Sequence, residues 1–160
     1  MILEIGSERR CAFDARNILV PTDFSEHADK ALKLALDVAG SSKGRVYLLH
    51  VIDESIQQCG VDYCLSGDVV RDIESSLERT AESLLREKAL KFSGSGDVEI
   101  VPVVKKGSSA DVILNEQKEV KADLIVLGSQ GRSRLYHPLG GSVGERVMRG
   151  AACPVLVAGG

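Results

Sequence analysis

Leu124-Ile125-Val126-Leu127-Gly128-Ser129-Gln130-Gly131, nine further residues, then Gly141-Ser142-Val143-Gly144-Glu145 form the stretch on which the fold turns. Its opening apolar run has the length and branching of a buried strand. Its end is a Ser-x-x-Glu capping box, which predicts a helix opening at Val143. Between them lies a loop punctuated by Gly128, Gly131, Gly140 and Gly141. Strand, glycine loop and capped helix together make a site for an anion, because main-chain N–H groups converge there and the helix dipole favours negative charge. Gly128 and Gly131 are read as positions where φ > 0 lets the backbone approach a ligand closely. The Ser142 hydroxyl either caps the helix or donates to a phosphate oxygen. The plain alternative is a long glycine-rich turn.

Upstream, Asn17-Ile18-Leu19-Val20 reads as a strand stopped by Pro21. Thr22-Asp23-Phe24-Ser25 turns the chain, and Ser25 is the predicted N-cap. Ala28, Ala31, Leu32, Ala35, Leu36 and Ala39 then fall on one helical stripe that Gly40 should end. Arg45 to Ile52 is almost continuously apolar, as in a strand covered on both faces of a parallel sheet. Asp53 to Ser66 reads as a loop. A helix from about Gly67 to Lys91 should turn Val70, Ile73, Leu77, Ala81, Leu84 and Leu85 inward. Val98 to Val104 is a strand whose Pro102 assigns it to an edge. Ser108 or Ser109 caps a helix to about Val120, with Ala110, Ile113, Leu114 and Gln117 on one side. Asp123 to Leu127 leads into the glycine loop, the next helix runs to about Arg149, and Pro154 to Ala158 is a closing strand. Met1 to Ile5 is the one stretch before Asn17 with strand character.

This alternation of strand and helix predicts an α/β fold with a single doubly wound parallel sheet and helices on both faces. Residues 1–16 read as an N-terminal extension and 17–160 as the domain. The 160 residues suit one domain, with 44% apolar and 27% charged residues. A formal net charge of −3 argues against nucleic acid or an anionic membrane as partner. No apolar run has the length of a span, and Met1 to Arg16 lacks a signal-peptide core, so a cytoplasmic location is expected. The four cysteines, Cys11, Cys59, Cys64 and Cys153, form no Cys-x-x-Cys pair. Reduced thiols are expected, with a Cys59–Cys64 bridge as the alternative.

In a doubly wound sheet, ligands sit beyond the carboxyl ends of the strands where the order reverses. Two distinctive loops fall on that edge, Pro21-Thr22-Asp23 and Gly128 to Ser142. A carboxylate such as Asp23 suits a ribose hydroxyl and a glycine loop suits phosphates, a combination that spells a nucleotide. Asp23 reads equally well as a turn residue.

Ile18 to Ser25, Leu49-His50-Val51, Ala122 to Ser129, the Gly-x2-Gly-x9-Gly-Ser signature and Cys153 to Val157 together resemble the ATP-binding universal stress proteins. The resemblance covers about Asn17 to Ala158. It implies a five-stranded sheet of order 3-2-1-4-5, with Pro21, Thr22 and Asp23 bordering adenine and ribose. Val51 would meet adenine through its backbone, and Gly128 and Ser129 would lie along the ribose and first phosphate. Gly131, Arg132, Gly141, Ser142 and Val143 would hold the phosphates of ATP, or of AMP or ADP, with Mg2+ or Mn2+. It also implies a homodimer through Pro154 to Ala158. Gln130 stands where many members have histidine, and Tyr136-His137-Pro138 stiffens the spacer.

Other nucleotide and hydrolase signatures are missing. There is no Gly-x4-Gly-Lys-Ser/Thr loop, no Gly-x-Gly-x-x-Gly after the first strand, no Ser-Gly-Gly-x-Asp and no Gly-x-Ser-x-Gly. His27 is read as facing solvent, His50 as a satisfied core histidine, and His137, Arg132 and Arg134 as either phosphate contacts or solvated loop residues. No pair of groups is set up to activate water. The expectation is therefore a dimeric nucleotide-dependent switch read by a protein partner, with a slow Mg-dependent ATP phosphohydrolase as the alternative.

Overall fold

The structure is a computed structural model that describes residues 14–54, 61–94, 96–129 and 142–159. Its elements, in chain order, are β1 (Asn17–Pro21), α1 (Glu26–Ser42), β2 (Arg45–Ile52), α2 (Gly67–Phe92), β3 (Glu99–Lys106), α3 (Ser109–Glu119), β4 (Leu124–Gly128), α4 (Val143–Gly150) and β5 (Val155–Ala158). All pairings are parallel, in the order β3-β2-β1-β4-β5. This is the 3-2-1-4-5 order that the resemblance implies. Met1 to Ile5, Cys11, Cys59 and Gln130 to Gly141 lie outside the described residues.

Because side chains alternate across a strand, each strand feeds two cores. Ile18, Val20, Val46, Leu48, Leu124 and Val126 pack on one face against Ala31, Leu32, Ala35 and Ala39 of α1 and Leu85 of α2. Leu19, Leu49, Ile125 and Leu127 pack on the other against Ala110 and Ile113 of α3 and Val147 of α4. Ile18, Leu19, Val20, Ile125 and Val126 are wholly buried, which explains why the central strands read as unbroken apolar runs.

Ser25 caps α1 by accepting from the Ala28 N–H at 3.2 Å. The helix does not stop at Gly40. It runs on to Ser42, and Lys43 takes the left-handed conformation (φ 50) at its end. A Cβ on Gly40 would meet nothing within 4 Å, whereas one on Gly44 would lie 2.8 Å from the Ala15 carbonyl oxygen. The stop is the left-handed Lys43, after which the Gly44 N–H donates to the Ala39 carbonyl at 3.0 Å, and Gly40 is an ordinary helical position.

The inward face of α2 is narrower than its apolar pattern. Ala81 and Leu85 are buried, but Ile73, Leu77 and Leu84 remain 39%, 40% and 39% exposed. A 26-residue helix spans about 39 Å and its eight-residue strand neighbour about 26 Å, so part of α2 overhangs the sheet edge.

β3 is an edge strand, as Pro102 requires. The Gly107 N–H donates to the Ile52 carbonyl at 3.0 Å, so odd-numbered residues face β2 and the missing N–H of Pro102 points away from the ladder. Among the described residues no helix is long and apolar enough to cross a membrane.

Candidate functional site

β1 and β4 are adjacent, with Ile18 opposite Leu124 and Leu19 opposite Ile125. From β1 the sheet runs outward through β2 to β3 on one side and through β4 to β5 on the other. The order therefore reverses between β1 and β4, and the crevice expected of a doubly wound sheet opens beyond their carboxyl ends.

The β1 side of the crevice is a hydrogen-bonded turn. Thr22 is buried (7% exposed). Its N–H donates to the Leu49 carbonyl at 2.8 Å, and its Oγ1 accepts from the Phe24 N–H at 3.1 Å. The half-buried Asp23 accepts from the Ser25 N–H through Oδ1 at 3.0 Å. Such side-chain-to-backbone bonds hold a short turn without help from neighbours. Phe24 sits at φ 63, and its ring lies against the His50 imidazole with centroids 4.5 Å apart. Asp23 thus serves as a turn residue, the alternative its position offered.

On the β4 side, a Cβ at Gly128 would stand 2.8 Å from the carbonyl carbon and oxygen of His27 and 3.1 Å from the Ala28 nitrogen. Gly128 is therefore required by the close passage of α1, and among the described glycines only Gly107 has positive φ. That corrects the reading of Gly128 as a positive-φ position. The exposed Ser129 continues the sheet, its N–H donating to the Ala158 carbonyl at 3.1 Å. Its Oγ lies 3.4 Å from His27 Nδ1. His27 is half-buried, so it does not simply face solvent as its early helical position suggested.

Ser142 caps α4, its Oγ accepting from the Glu145 N–H at 3.2 Å. The Glu145 carboxylate is directed to Arg149 at 2.6 Å, so the capping box is drawn to an ion pair on the next turn. Ser142 and Val143 are exposed. A Cβ on Gly144 would lie 3.8 Å from Leu127 Cδ1, which sets the first turn of α4 against the end of β4. The N-termini of α1 and α4 thus flank the end of one strand, and their dipoles add there.

Val51 is half-buried near the end of β2. The Leu49 carbonyl faces β1, so strand alternation turns the Val51 N–H and C=O the same way, beyond the last β1 partner at Pro21↔Leu49. Of the sequence candidates, Pro21, Thr22, Asp23, Val51, Gly128 and Ser129 gather at the carboxyl ends of three adjacent strands, and Ser142 and Val143 open the helix beside β4. Gly131, Arg132 and Gly141 lie outside the described residues. The contacts of His27 and His50 could not be read from the sequence beyond the bare presence of an imidazole near each loop.

Among the described residues no group of three or more His, Cys, Asp or Glu is placed to hold a metal ion. No step below is routed through a metal. Burial, and Asp123 nearby, push the Cys153 thiol up, which keeps it protonated and a poor nucleophile.

The family model described as the universal stress protein family matches residues 15–159. The chain belongs to the universal stress protein family. A curated family member from Methanocaldococcus jannaschii, MJ0531, is 34% identical over 148 residues, covering 89% of this chain and 81% of the relative. The solved structure of MJ0577 superposes with a TM-score of 0.70 at 30% identity, covering 89% of this chain and 94% of that one. A universal stress protein solved in complex with cAMP is 25% identical, with a TM-score of 0.56, over 91% of this chain and 98% of that one. The universal stress protein domain accounts for the sheet order seen here and for the crevice at its switch point.

Proposed function

We propose that this universal stress protein binds an adenine nucleotide across the β1–β4 crevice, with ATP as its working ligand, and acts as a dimeric switch in the cytoplasm. The observation that carries this reading is the convergence of Asp23, the Val51 backbone and Gly128–Ser129 at one sheet edge flanked by two helix N-termini. Asp23 bonds the ribose, Pro21 and Thr22 border the base, and Val51 meets adenine through its main chain. Ser129, Gly131, Arg132, Gly141, Ser142 and Val143 take the phosphates. The relative bound to cAMP supports an adenine nucleotide as the ligand class. A protein partner then distinguishes loaded from empty dimers.

Titration calorimetry with ATP and adenosine tests the reading. ATP raises the melting temperature, since a ligand that binds only the folded chain stabilises it by mass action. Asp23→Ala removes a charge-assisted hydrogen bond of about 1.5–3 kcal/mol, weakening ATP and adenosine alike by roughly ten- to a hundredfold. An unchanged melting temperature at millimolar ATP sinks the proposal.

A further inference from the structure

His50 is absent from the residues so far placed at the crevice, yet it occupies the hydrogen-bond position that decides how β1 and β2 part. In a parallel ladder, a residue whose N–H donates to one carbonyl of the neighbouring strand accepts, through its own C=O, from the N–H two residues further along. The Thr22 N–H donates to the Leu49 carbonyl at 2.8 Å, so the partner due at the Thr22 carbonyl is the Val51 N–H. That acceptor position is taken by His50 Nδ1 at 2.8 Å, and the strand register ends at Pro21↔Leu49. A carbonyl only accepts, so the ring carries a hydrogen on Nδ1 and donates it to Thr22. The Phe24 ring, 4.5 Å from the imidazole, holds it at that place.

The geometry points to His50 as a positioning residue for base recognition. Its imidazole stands in for the Val51 N–H at the Thr22 carbonyl, ends the β1–β2 ladder one bond early, and leaves the Val51 N–H and C=O to read a base. This rests on the adenine-nucleotide reading above and extends it to specificity. A main-chain donor and acceptor on one residue match adenine, whose N1 accepts and whose N6 amino group donates. With the ribose held at Asp23, hypoxanthine offers the reverse pattern, a donor at N1 and an acceptor at O6, and is refused.

The test compares the wild-type protein, His50→Leu and His50→Asn. Adenosine and inosine are titrated by calorimetry, hydrogen exchange is followed at the Val51 amide without ligand, and the urea midpoint is measured. In wild type the Val51 amide exchanges readily and adenosine is preferred to inosine. In His50→Leu the Thr22 carbonyl recaptures that amide, exchange slows, and adenosine binding falls roughly tenfold, the worth of about one neutral hydrogen bond. In His50→Asn a shorter amide still donates to Thr22, and both readouts return toward wild type. If His50→Leu binds adenosine like wild type and its Val51 amide still exchanges readily, the His50 role is overturned while the nucleotide reading stands. If affinity falls only together with the urea midpoint and Asn restores neither, His50 is a packing residue and the proposal is overturned. A wild-type protein that binds neither adenosine nor ATP overturns the nucleotide reading and this proposal together.

Discussion

Gly128 and Gly40 show how differently two glycines act in one chain. A methyl group at Gly128 would lie 2.8 Å from the main chain of His27, and main-chain atoms of a helix cannot swing aside. Gly128→Ala must therefore lift α1 off β4, at a cost of about 1–3 kcal/mol for overpacking. Its urea midpoint should fall while the m-value stays unchanged. Ser129 follows directly, so its distance from His27 changes too, and nucleotide affinity should drop. Gly40→Ala is the control: nothing stands within 4 Å of the added methyl, and alanine in a helix is favoured over glycine by about 1 kcal/mol. Its midpoint should rise. Equal shifts for the two variants would mean that the close passage of α1 over Gly128 does not matter.

At the scale of the element, α4 combines a structural cap with a proposed phosphate contact, and two substitutions at Ser142 separate them. Ser142→Ala removes the bond to the Glu145 N–H and should cost about 1 kcal/mol of stability. Ser142→Asp keeps a capping oxygen and complements the helix dipole, so stability is retained. The aspartate places a negative charge where the phosphates are proposed to lie. It should weaken ATP much more than adenosine, whereas the alanine variant keeps a ratio nearer the parent's. Calorimetric titration of both ligands checks this, and an unchanged ATP-to-adenosine ratio in the aspartate variant would remove α4 from the site. α2 illustrates a different limit. Its apolar positions announced a helix correctly, but periodicity says which residues share a face and not how far that face reaches over a sheet. Ile73, Leu77 and Leu84 stay partly exposed for that reason.

At the scale of the molecule the two edges of the sheet are unlike. β3 guards its edge with Pro102 and with Lys105 and Lys106, which pair with Glu116 at 3.4 Å and Glu78 at 3.0 Å. Among the described residues β5 pairs only with β4, and Leu156 and Val157 stay 37% and 42% exposed. An unguarded apolar edge invites a second copy, which supports the proposed homodimer through Pro154 to Ala158. Val157→Lys should convert a dimer to a monomer in light scattering at micromolar concentration. A wild-type monomer mass would end the dimer proposal. The alternation of strand and helix, the caps at Ser25 and Ser142, and the edge status of β3 were all legible in the chain. Each follows from local chemistry: side-chain period, a hydroxyl before a helix, a proline without an N–H. The expectation of a nucleotide came from the pairing of Asp23 with a glycine loop, and the family resemblance carried the strand order. Only the tertiary structure decided the rest. It showed how the turn at Thr22–Asp23 is bonded at the edge it shares with Gly128. It set Lys43, not Gly40, at the end of α1, and it turned Gly128 from a supposed positive-φ residue into a point of close helix passage. It also brought His27 to Ser129 across 102 residues and His50 to Thr22 across 28. Those contacts join segments far apart in the chain, and no local period or motif encodes which distant backbone will arrive there.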